Sequence, residues 1–587
     1  MSRILIANRG EIAVRVIRAC AQNGHTSVAV YADQDATALH AQLADIAIAL
    51  PGTTAAQTYL NIDAIVAAAK TAGADAVHPG YGFLSENADF AAAVEDAGLI
   101  FIGPTPESIT TLGDKVTARQ LAVSVGAPLA PGIDRPLKDA AEVEDFAREH
   151  GLPIIIKAAH GGGGRGMKIV RDLAEVAGAF ESATREAIEA FGRPECFVEK
   201  FLEHPRHVEV QVVGDGQGRV VAVGDRDCSA QRRNQKLVEE APAPNLTADQ
   251  RERLQRSAEA ICAEVDYRGA GTVEFLLAAD GTMTFLEVNT RLQVEHPVTE
   301  AVTGVDLVTE QFRIAFGEGL SLSATPEVRG HAIELRINAE DPGRGFLPTP
   351  GRIEALTVPG GPGVRWDSGV RAGDTVQPAF DSLFAKLIVH GPDRATAIAR
   401  TITAATELEV AGPATVLPAS LAILRHPAFA GEVIGIDTQW IESELLPEFS
   451  PQDRPAPIAA EGLTRLEIEI DGRMTTIGLP DALLTALGSA GGGAVAGGDP
   501  RGAAGSNGVD DPDGSADGST AVSAPVPGSL VDFLVDDGAE VTEGDEVAVL
   551  SAMKMETRVS APAAGTLKHV ASVGDVVSVG EAIARIR

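Results

Sequence analysis

Basic charge, cysteine and long apolar runs are all scarce in this sequence of 587 residues. Against 82 Asp and Glu stand 48 Lys and Arg, a formal net charge of −34. A chain of that sign repels polyanions, so neither nucleic acid nor an anionic membrane surface is an expected partner outside local basic sites. The four cysteines, Cys20, Cys196, Cys228 and Cys262, include no close pair. That excludes a disulfide framework, a zinc knuckle and an iron–sulfur site, and a reducing compartment is expected. The opening MSRILIANRGEIAV breaks its short apolar run at Asn8, Arg9 and Glu11, and so lacks the core of a signal peptide. The longest uncharged apolar stretch, residues 410–424, is fifteen residues with two prolines, too short and too interrupted to span a bilayer. The expectation is a cytoplasmic protein of about four domains, at ~150 residues each.

Leucine, isoleucine, methionine and aromatics are all missing from residues 488–524, which hold eleven glycines. Such a segment cannot bury enough apolar surface to fold and is expected to be a flexible linker, with a reach of roughly 33 Å. After it comes a near-repeat. PVPGSLVDFLVDDGAEVTEGDEVAVL (525–550) is echoed by PAAGTLKHVASVGDVVSVGEAIARI (562–586), with Gly528, Gly538 and Gly544 matched by Gly565, Gly574 and Gly580. Both halves are short Val-, Leu- and Ile-rich runs punctuated by glycine, the pattern of two similar units packed as a small β-sandwich. In the bend between them lies SAMKM (551–555), one of ten lysines in a chain with thirty-eight arginines, set between two of only six methionines. An exposed bend is where a modifying enzyme reaches a side chain.

Val526-Pro527-Gly528, the repeat and Ala552-Met553-Lys554-Met555 together resemble a biotin carrier domain. The resemblance implies biotin attached covalently to Lys554, and therefore a biotin protein ligase as a partner. Lipoyl domains share the fold but usually lack the paired methionines. Ser551 departs from the acidic residue many carriers have there, and the interval from Gly528 to Gly538 leaves no room for the thumb loop that some carry.

The first 450 residues offer a site that could charge a biotin. RILIA, a turn at Asn8-Arg9-Gly10, an apolar-periodic run closed by Gly24, and SVAVYA read as a β-α-β start. In IIIKAAHGGGGRGMKIV (154–170), two β-like runs bracket Gly161, Gly162, Gly163, Gly164 and Gly166. Backbone N–H groups of such a loop can approach phosphate oxygens while Lys157 and Lys168 supply charge. No Gly-Lys-Ser/Thr follows, so this is not the Walker pattern. In GTVEFLLAADGTMTFLEVNTRLQVEHPVTE (271–300), Asp280-Gly281 reads as a two-residue hairpin loop pairing Ala279 with Thr282, and hence Glu274 with Glu287. Opposed carboxylates destabilise a sheet unless a cation sits between them, and a hard Mg²⁺ shared with nucleotide phosphates suits them. With a period of two, Glu287, Asn289, Arg291, Gln293 and Glu295 are expected to project from one face of the second strand.

Lys115 in GDK, Lys157 with its glycine loop, Glu199-Lys200-Phe201-Leu202, RHVEVQV (206–212), CSAQRRNQK (228–236), the Glu274 hairpin and ELRINAED (334–341) resemble, in that order, biotin carboxylase of the ATP-grasp superfamily. With the carrier, the layout resembles the actinobacterial-type α subunit of acyl-CoA carboxylases. The fold this implies is multidomain α/β: an N-terminal α/β domain (1–114), an ATP-grasp domain (115–325), a C-terminal α+β domain (326–445), a small hairpin region (446–487), the linker (488–524) and an all-β biotinyl domain (525–587). The resemblance assigns ATP phosphates to Lys115, Lys157 and the glycines, and adenine and ribose to Glu199, Lys200, Leu202, His207 and Gln231. It assigns Mg²⁺ or Mn²⁺ to Glu274, Glu287 and Asn289. Bicarbonate falls to Lys236, Arg291, Gln293 and the Val294 backbone, with Glu295 as base and Arg336 steadying the biotin enolate. Bicarbonate needs such a base beside cations before it can attack ATP, and Arg keeps its charge near bases. His207 also fits a satisfied strand histidine, Cys228 is expected to be structural, and Asn234 departs from the family's usual ring with altered nucleotide affinity expected.

The activity implied is ATP- and bicarbonate-dependent carboxylation of the chain's own biotin, passed to a carboxyltransferase β subunit for acetyl- or propionyl-CoA in an oligomeric α/β complex. Two other readings are a non-catalytic biotin carrier or scaffold, which intact Lys236, Glu274, Glu287, Glu295 and Arg336 disfavour, and the carboxylase part of another biotin enzyme. Pyruvate and urea carboxylases carry their carboxyltransferase in the same chain, whereas residues 446–487 are too few to hold one.

Overall fold

The computed structural model describes residues 1–133, 135–158, 167–191, 194–446, 449–452, 463–470, 473–480, 520–525, 528–552, 555–577 and 580–587. The chain divides into two compact units, Met1–Gln377 with Ser382–Gln452, and Asp453–Arg587 with Pro378–Asp381.

The first unit opens as the β-α-β pattern requires: strand Arg3–Ile6, helix Gly10–Gln22, strand Thr26–Tyr31. The helix buries Ile12, Ala13, Val16, Ile17 and Cys20, a 3.6-residue stripe, and the chain leaves it through Gly24 at φ +72°. Five parallel strands form one sheet in the order Ile46–Ala49, Thr26–Tyr31, Arg3–Ile6, Ala76–His78, Ile100–Phe101. The order reverses between Arg3–Ile6 and Ala76–His78, and ligands of open α/β sheets bind beyond the carboxyl ends of such a pair. There the Asn8 amide donates to the carbonyls of Pro79 and Tyr81, 2.8 Å each, fastening the two post-strand turns together.

An eight-stranded sheet forms the centre of the unit. Its order is Met283–Asn289, Arg268–Leu277, Arg206–Asp215, Val220–Arg232, Gln235–Ala241, His331–Asn338, Leu383–Gly391, Val364–Ser368. The boundary expected at 325/326 therefore separates segments that share one sheet, joined where Val238 faces Leu335. Beside it, strands Met167–Val170, Ile154–Ala158 and Cys196–Lys200 form a small sheet under helices Ala140–His150 and Val176–Phe191. Ile154, Ile156, Val170 and Val198 face those helices, so the alternation turns Lys157 to the opposite side. The apolar stretch 410–424 is broken as its prolines predict, into a short strand, a turn and the helix Leu417–Arg425. Among the described residues no helix is long and apolar enough to cross a membrane.

In the second unit, Leu463–Ile470 pairs antiparallel with Arg473–Pro480, the hairpin expected there. The C-terminal repeat is a sandwich of two four-stranded sheets, Met555–Ser560, Glu546–Ala552, Gly528–Phe533, Val576–Val577 and Thr520–Ser523, Ala582–Ile586, Gly565–His569, Glu540–Val541. Val522, Leu530, Val547, Leu550, Leu567, Ile583 and Ile586 share its core. The repeat is real: Gly538 and Gly574 occupy the same turn, at φ +86° and +97°, closed by Ala539 N–H to Asp536 and Asp575 N–H to Ser572. One boundary needs correction. Thr520–Ser523 was expected to be linker but is an edge strand pairing with Ala582–Ile586, the counterpart of Met555–Ser560 in the other sheet. Residues 488–519 lie outside the described residues.

Candidate active site

Glu274 does face Glu287, though by a different route from the one expected. The hairpin turn spans three residues, closed by Ala278 N–H to the Thr282 carbonyl at 2.8 Å, so Leu277 pairs with Met283 and Phe275 with Phe285. A β-bulge at Leu286 then shifts the second strand by one residue and restores the Glu274–Glu287 pair. The row extends further. Glu209 stands opposite Glu274 on its other side, and Arg226 opposite Glu209. Four adjacent strands therefore carry Glu287, Glu274, Glu209 and Arg226 side by side, and the Arg226 guanidinium, fully buried, donates to Glu209 at 2.5 Å.

The strand ends at Asn289, so Arg291, Gln293 and Glu295 do not continue its face; they lie in a turn that leads into helix His296–Thr303. Their side chains nevertheless meet. Glu274 Oε1 accepts from Asn289 at 2.8 Å, Lys236 at 3.2 Å and Gln293 at 3.3 Å. Arg291 donates to Asn289 and Gln293, and its Nε to Glu86 Oε2 at 2.9 Å. Lys236 Nζ, almost fully buried, bonds Glu209 at 2.7 Å and Glu295 at 2.6 Å besides Glu274. The other oxygen of Glu295 accepts from Arg336 at 2.8 Å, and Arg336 Nε donates to Glu239 at 2.6 Å. Burial alone would push the Glu295 carboxyl up, but Lys236, Arg336 and Arg226 hold it well below the usual carboxylate range. Cys228 Sγ lies 3.9 Å from Glu295, and burial with Glu209 beside it pushes the thiol well up, which fits a structural residue.

The residues expected around the nucleotide are distributed over one helix and four strands, with Leu202 just beyond one of them. Lys115 begins the helix Lys115–Ser124, its Nζ 4.0 Å from Glu287. Lys157 pairs with Glu199, and Glu199 also accepts from Arg119 at 3.2 Å. Lys200 is committed to the Leu152 carbonyl at 2.9 Å, and Leu202 is half-buried. His207 and Gln231 meet at 3.2 Å, and His207 Nε2 lies 2.9 Å from Glu274 Oε2. His207 thus belongs to the carboxylate cluster, where burial pushes its pKa down but Glu274 raises it overall. Lys168, expected beside Lys157, faces the other side of the pleat and pairs with Glu186. Gly161, Gly162, Gly163, Gly164, Gly166, Met553 and Lys554 lie outside the described residues. The strands flanking Lys554 close with Ala552 opposite Met555. Asn234 sits in the two-residue turn between Arg232 and Gln235, at φ +64° after Arg233 at φ +46°. That is the type I′ conformation, which favours Asn over any ring-bearing residue.

Glu209, Glu86 and Arg226 were not singled out in the sequence. The signal for Glu209 was a carboxylate in the apolar run VEV, a position that needs a buried partner. As a metal set, Glu274, Glu287 and Asn289 fit a hard cation. Burial, then Glu274 itself, pushes the Glu287 carboxyl up, and a shared Mg²⁺ is what two opposed carboxylates would accept. The tighter groups His207–Glu209–Glu274 and Glu209–Cys228–Glu295, with ligand atoms within 4.8 Å, already hold the Lys236 ammonium among their carboxylates.

Four families match the chain. They are described as "Biotin carboxylase, N-terminal domain" over residues 1–109, "Carbamoyl-phosphate synthase L chain, ATP binding domain" over 114–323, "Biotin carboxylase C-terminal domain" over 334–443 and "Biotin-requiring enzyme" over 520–586. A biotin-dependent acyl-coenzyme A carboxylase alpha3 subunit of Mycobacterium leprae is 51% identical over 598 residues, spanning 100% of this chain and 99% of its own. A biotin carboxylase of Pseudomonas aeruginosa is 49% identical over 447 residues, 76% of this chain and 99% of its own. Among solved structures, the biotin carboxylase–βγ-ATP complex from Campylobacter jejuni superposes with a TM-score of 0.71 at 42% identity, covering 75% of this chain and 98% of that one. The biotin carboxylase domain of Hydrogenobacter thermophilus 2-oxoglutarate carboxylase, solved with MgADP, ADP and bicarbonate, gives 0.70 at 45%, covering 75% and 97%.

Proposed function

Because the chain belongs to the biotin-dependent carboxylases, with the domain order of their acyl-CoA carboxylase α subunits, we propose that it uses ATP and bicarbonate to carboxylate biotin held on its own Lys554. The observation that carries this reading is the Glu295 carboxylate, fully buried and bonded on one oxygen by Lys236 and on the other by Arg336. Glu295 is the base that takes the bicarbonate proton. The two cations bonded to its oxygens, which with Arg226 hold its pKa down, are the two the substrates recruit: bicarbonate draws on Lys236, with Arg291, Gln293 and the Val294 backbone. As Lys236 turns to the anion, Glu295 loses part of its stabilisation and becomes the stronger base when a proton is there to remove. The deprotonated anion takes the γ-phosphoryl group of ATP, releasing ADP, and parts into CO₂ and phosphate; biotin, when bound, would supply a ureido nitrogen that bonds the CO₂ as its N–H proton passes to that phosphate, with Arg336 neutralising charge on the ureido oxygen.

Lys115, Lys157 and the 161–166 glycines hold the ATP phosphates, and Glu199, Lys200, Leu202, His207 and Gln231 the nucleoside. Glu274, Glu287 and Asn289 hold Mg²⁺ or Mn²⁺. In the cytoplasm, a biotin protein ligase loads Lys554. A separate carboxyltransferase β subunit, assembled with this chain into an α/β complex, then carboxylates acetyl- or propionyl-CoA.

Purified protein given Mg²⁺, ATP and free biotin is expected to release phosphate in a bicarbonate-dependent way. Glu295→Gln, which removes charge and keeps size, should lower that bicarbonate-dependent rate by about 10²- to 10⁴-fold. Equal rates in the two proteins would rule Glu295 out as the base.

A further inference from the structure

The peptide groups next to Glu295 are held from a buried layer that none of the roles above uses. His296 and Lys386 are both fully buried. His296 Nδ1 lies 2.8 Å from the Gln293 carbonyl oxygen, and Lys386 Nζ donates to the Val294 carbonyl at 2.6 Å. Lys386 is balanced by Glu11 at 3.1 Å, and Glu11 accepts from the Tyr81 hydroxyl.

A carbonyl oxygen only accepts, so the ring nitrogen facing Gln293 carries the hydrogen. Burial, then Lys386, Arg15 and Arg365, hold the imidazole pKa well below its usual value, so the ring is neutral and Nε2 is bare. That Nε2 is buried and makes no hydrogen bond among the described residues. Leaving a buried acceptor unsatisfied costs about 1–3 kcal/mol. A residue chosen for packing alone would not carry that cost, so the Nδ1–H contact is what the position retains.

Among the described residues the cis peptides are Leu152–Pro153 and Ala241–Pro242. The Gln293–Val294 unit is therefore trans, and its N–H points opposite to its C=O. The Val294 N–H itself makes no hydrogen bond among the described residues. We propose that His296 is a positioning residue for bicarbonate: by holding the Gln293 carbonyl in the buried layer, it aims the free Val294 N–H at the anion beside Glu295. The inference rests on the carboxylase reading given above. Lys386 fixes the following peptide in the same way, so both units flanking Val294 are anchored before substrate arrives, and neither has to reorient when it binds.

Two variants test this. In His296→Asn the side-chain amide nitrogen takes nearly the place of Nδ1; in His296→Gln the same group is moved one methylene away. Bicarbonate-dependent phosphate release is measured with free biotin, over ranges of bicarbonate and of ATP, on proteins of matched melting temperature. His296→Gln is expected to raise the bicarbonate KM about tenfold, the loss of one hydrogen bond's orientation, with the ATP KM within about twofold. His296→Asn is expected to stay near the wild type. A wild-type bicarbonate KM in His296→Gln, or an Asn variant no better than the Gln variant, would overturn the positioning role alone. Absence of bicarbonate-dependent release from the wild type would overturn the carboxylase reading, and this inference with it.

Discussion

Glu295 and Glu334 are both fully buried glutamates, and their surroundings send them in opposite directions. Glu295 has a cation on each oxygen. Neither oxygen of Glu334 makes a hydrogen bond among the described residues, and it stands directly opposite Glu239, whose carboxylate takes Arg336. Burial, partly offset by Lys386, then holds the Glu334 carboxyl well above its usual range. Burial also pushes Glu239 up to about 7. A raised folded pKa means that stability is complete at low pH and is lost as pH rises through it. Glu334→Gln, shaped like the neutral acid, should flatten the fall of melting temperature as pH rises from the ordinary carboxylate range toward the raised folded pKa. A fall as steep as in the wild type would show that Glu334 is not the group ionising. At this scale the sequence was legible where a motif carried the residue, as at Lys236, Glu274, Glu295 and Arg336. Glu209 and Lys386 escaped because their partners lie 27 and 92 residues away and only folding creates the contact, and His296 because its partner is a backbone carbonyl, which no side-chain pattern marks.

At the scale of elements, alternation and turn chemistry placed the hairpins and the β-α-β start, but not the details of phase. Asp280-Gly281 predicts a two-residue loop, and the three-residue loop present would have moved Glu287 to the wrong face without the bulge at Leu286. The edge strand Thr520–Ser523 was missed because glycine-rich composition ran up to it. Yet Ser523-Ala524-Pro525-x-x-Gly528 repeats as Ser560-Ala561-Pro562-x-x-Gly565, and both alanines are buried. The repeat thus extends five residues further back than glycine spacing alone suggested. Removing residues 520–524 strips Val522 and Ala524 from the sandwich core and leaves Ala582–Ile586 as an open edge. At about 25 cal/mol per Å² of apolar surface, that costs a small domain several kcal/mol. The deletion is expected to abolish the avidin signal of the full chain, while phosphate release with free biotin stays at the wild-type level. A full avidin signal would show the strand to be dispensable.

For the molecule as a whole, the reading of residues 488–519 as a tether makes the two half-reactions separable. Shortening the segment to about ten residues should leave carboxylation of free biotin unchanged and depress transfer to acyl-CoA in the assembled complex, since the reach falls with the square root of length. Equal losses in both assays would argue against a shuttle. The eight-stranded sheet has a consequence of another kind, one of timing. Strand Gln235–Ala241 receives its second neighbour, His331–Asn338, about 90 residues later in the chain. On the ribosome that interval lasts roughly 5 to 20 s. Throughout it the edge would be open to a neighbouring nascent chain, were it not for Lys236, Glu239 and Glu240, whose charges a mispaired strand would have to bury. The charges that pair with Glu209, Arg336 and Arg394 in the finished protein thereby guard its synthesis, and neutral replacements among the three should lower soluble yield.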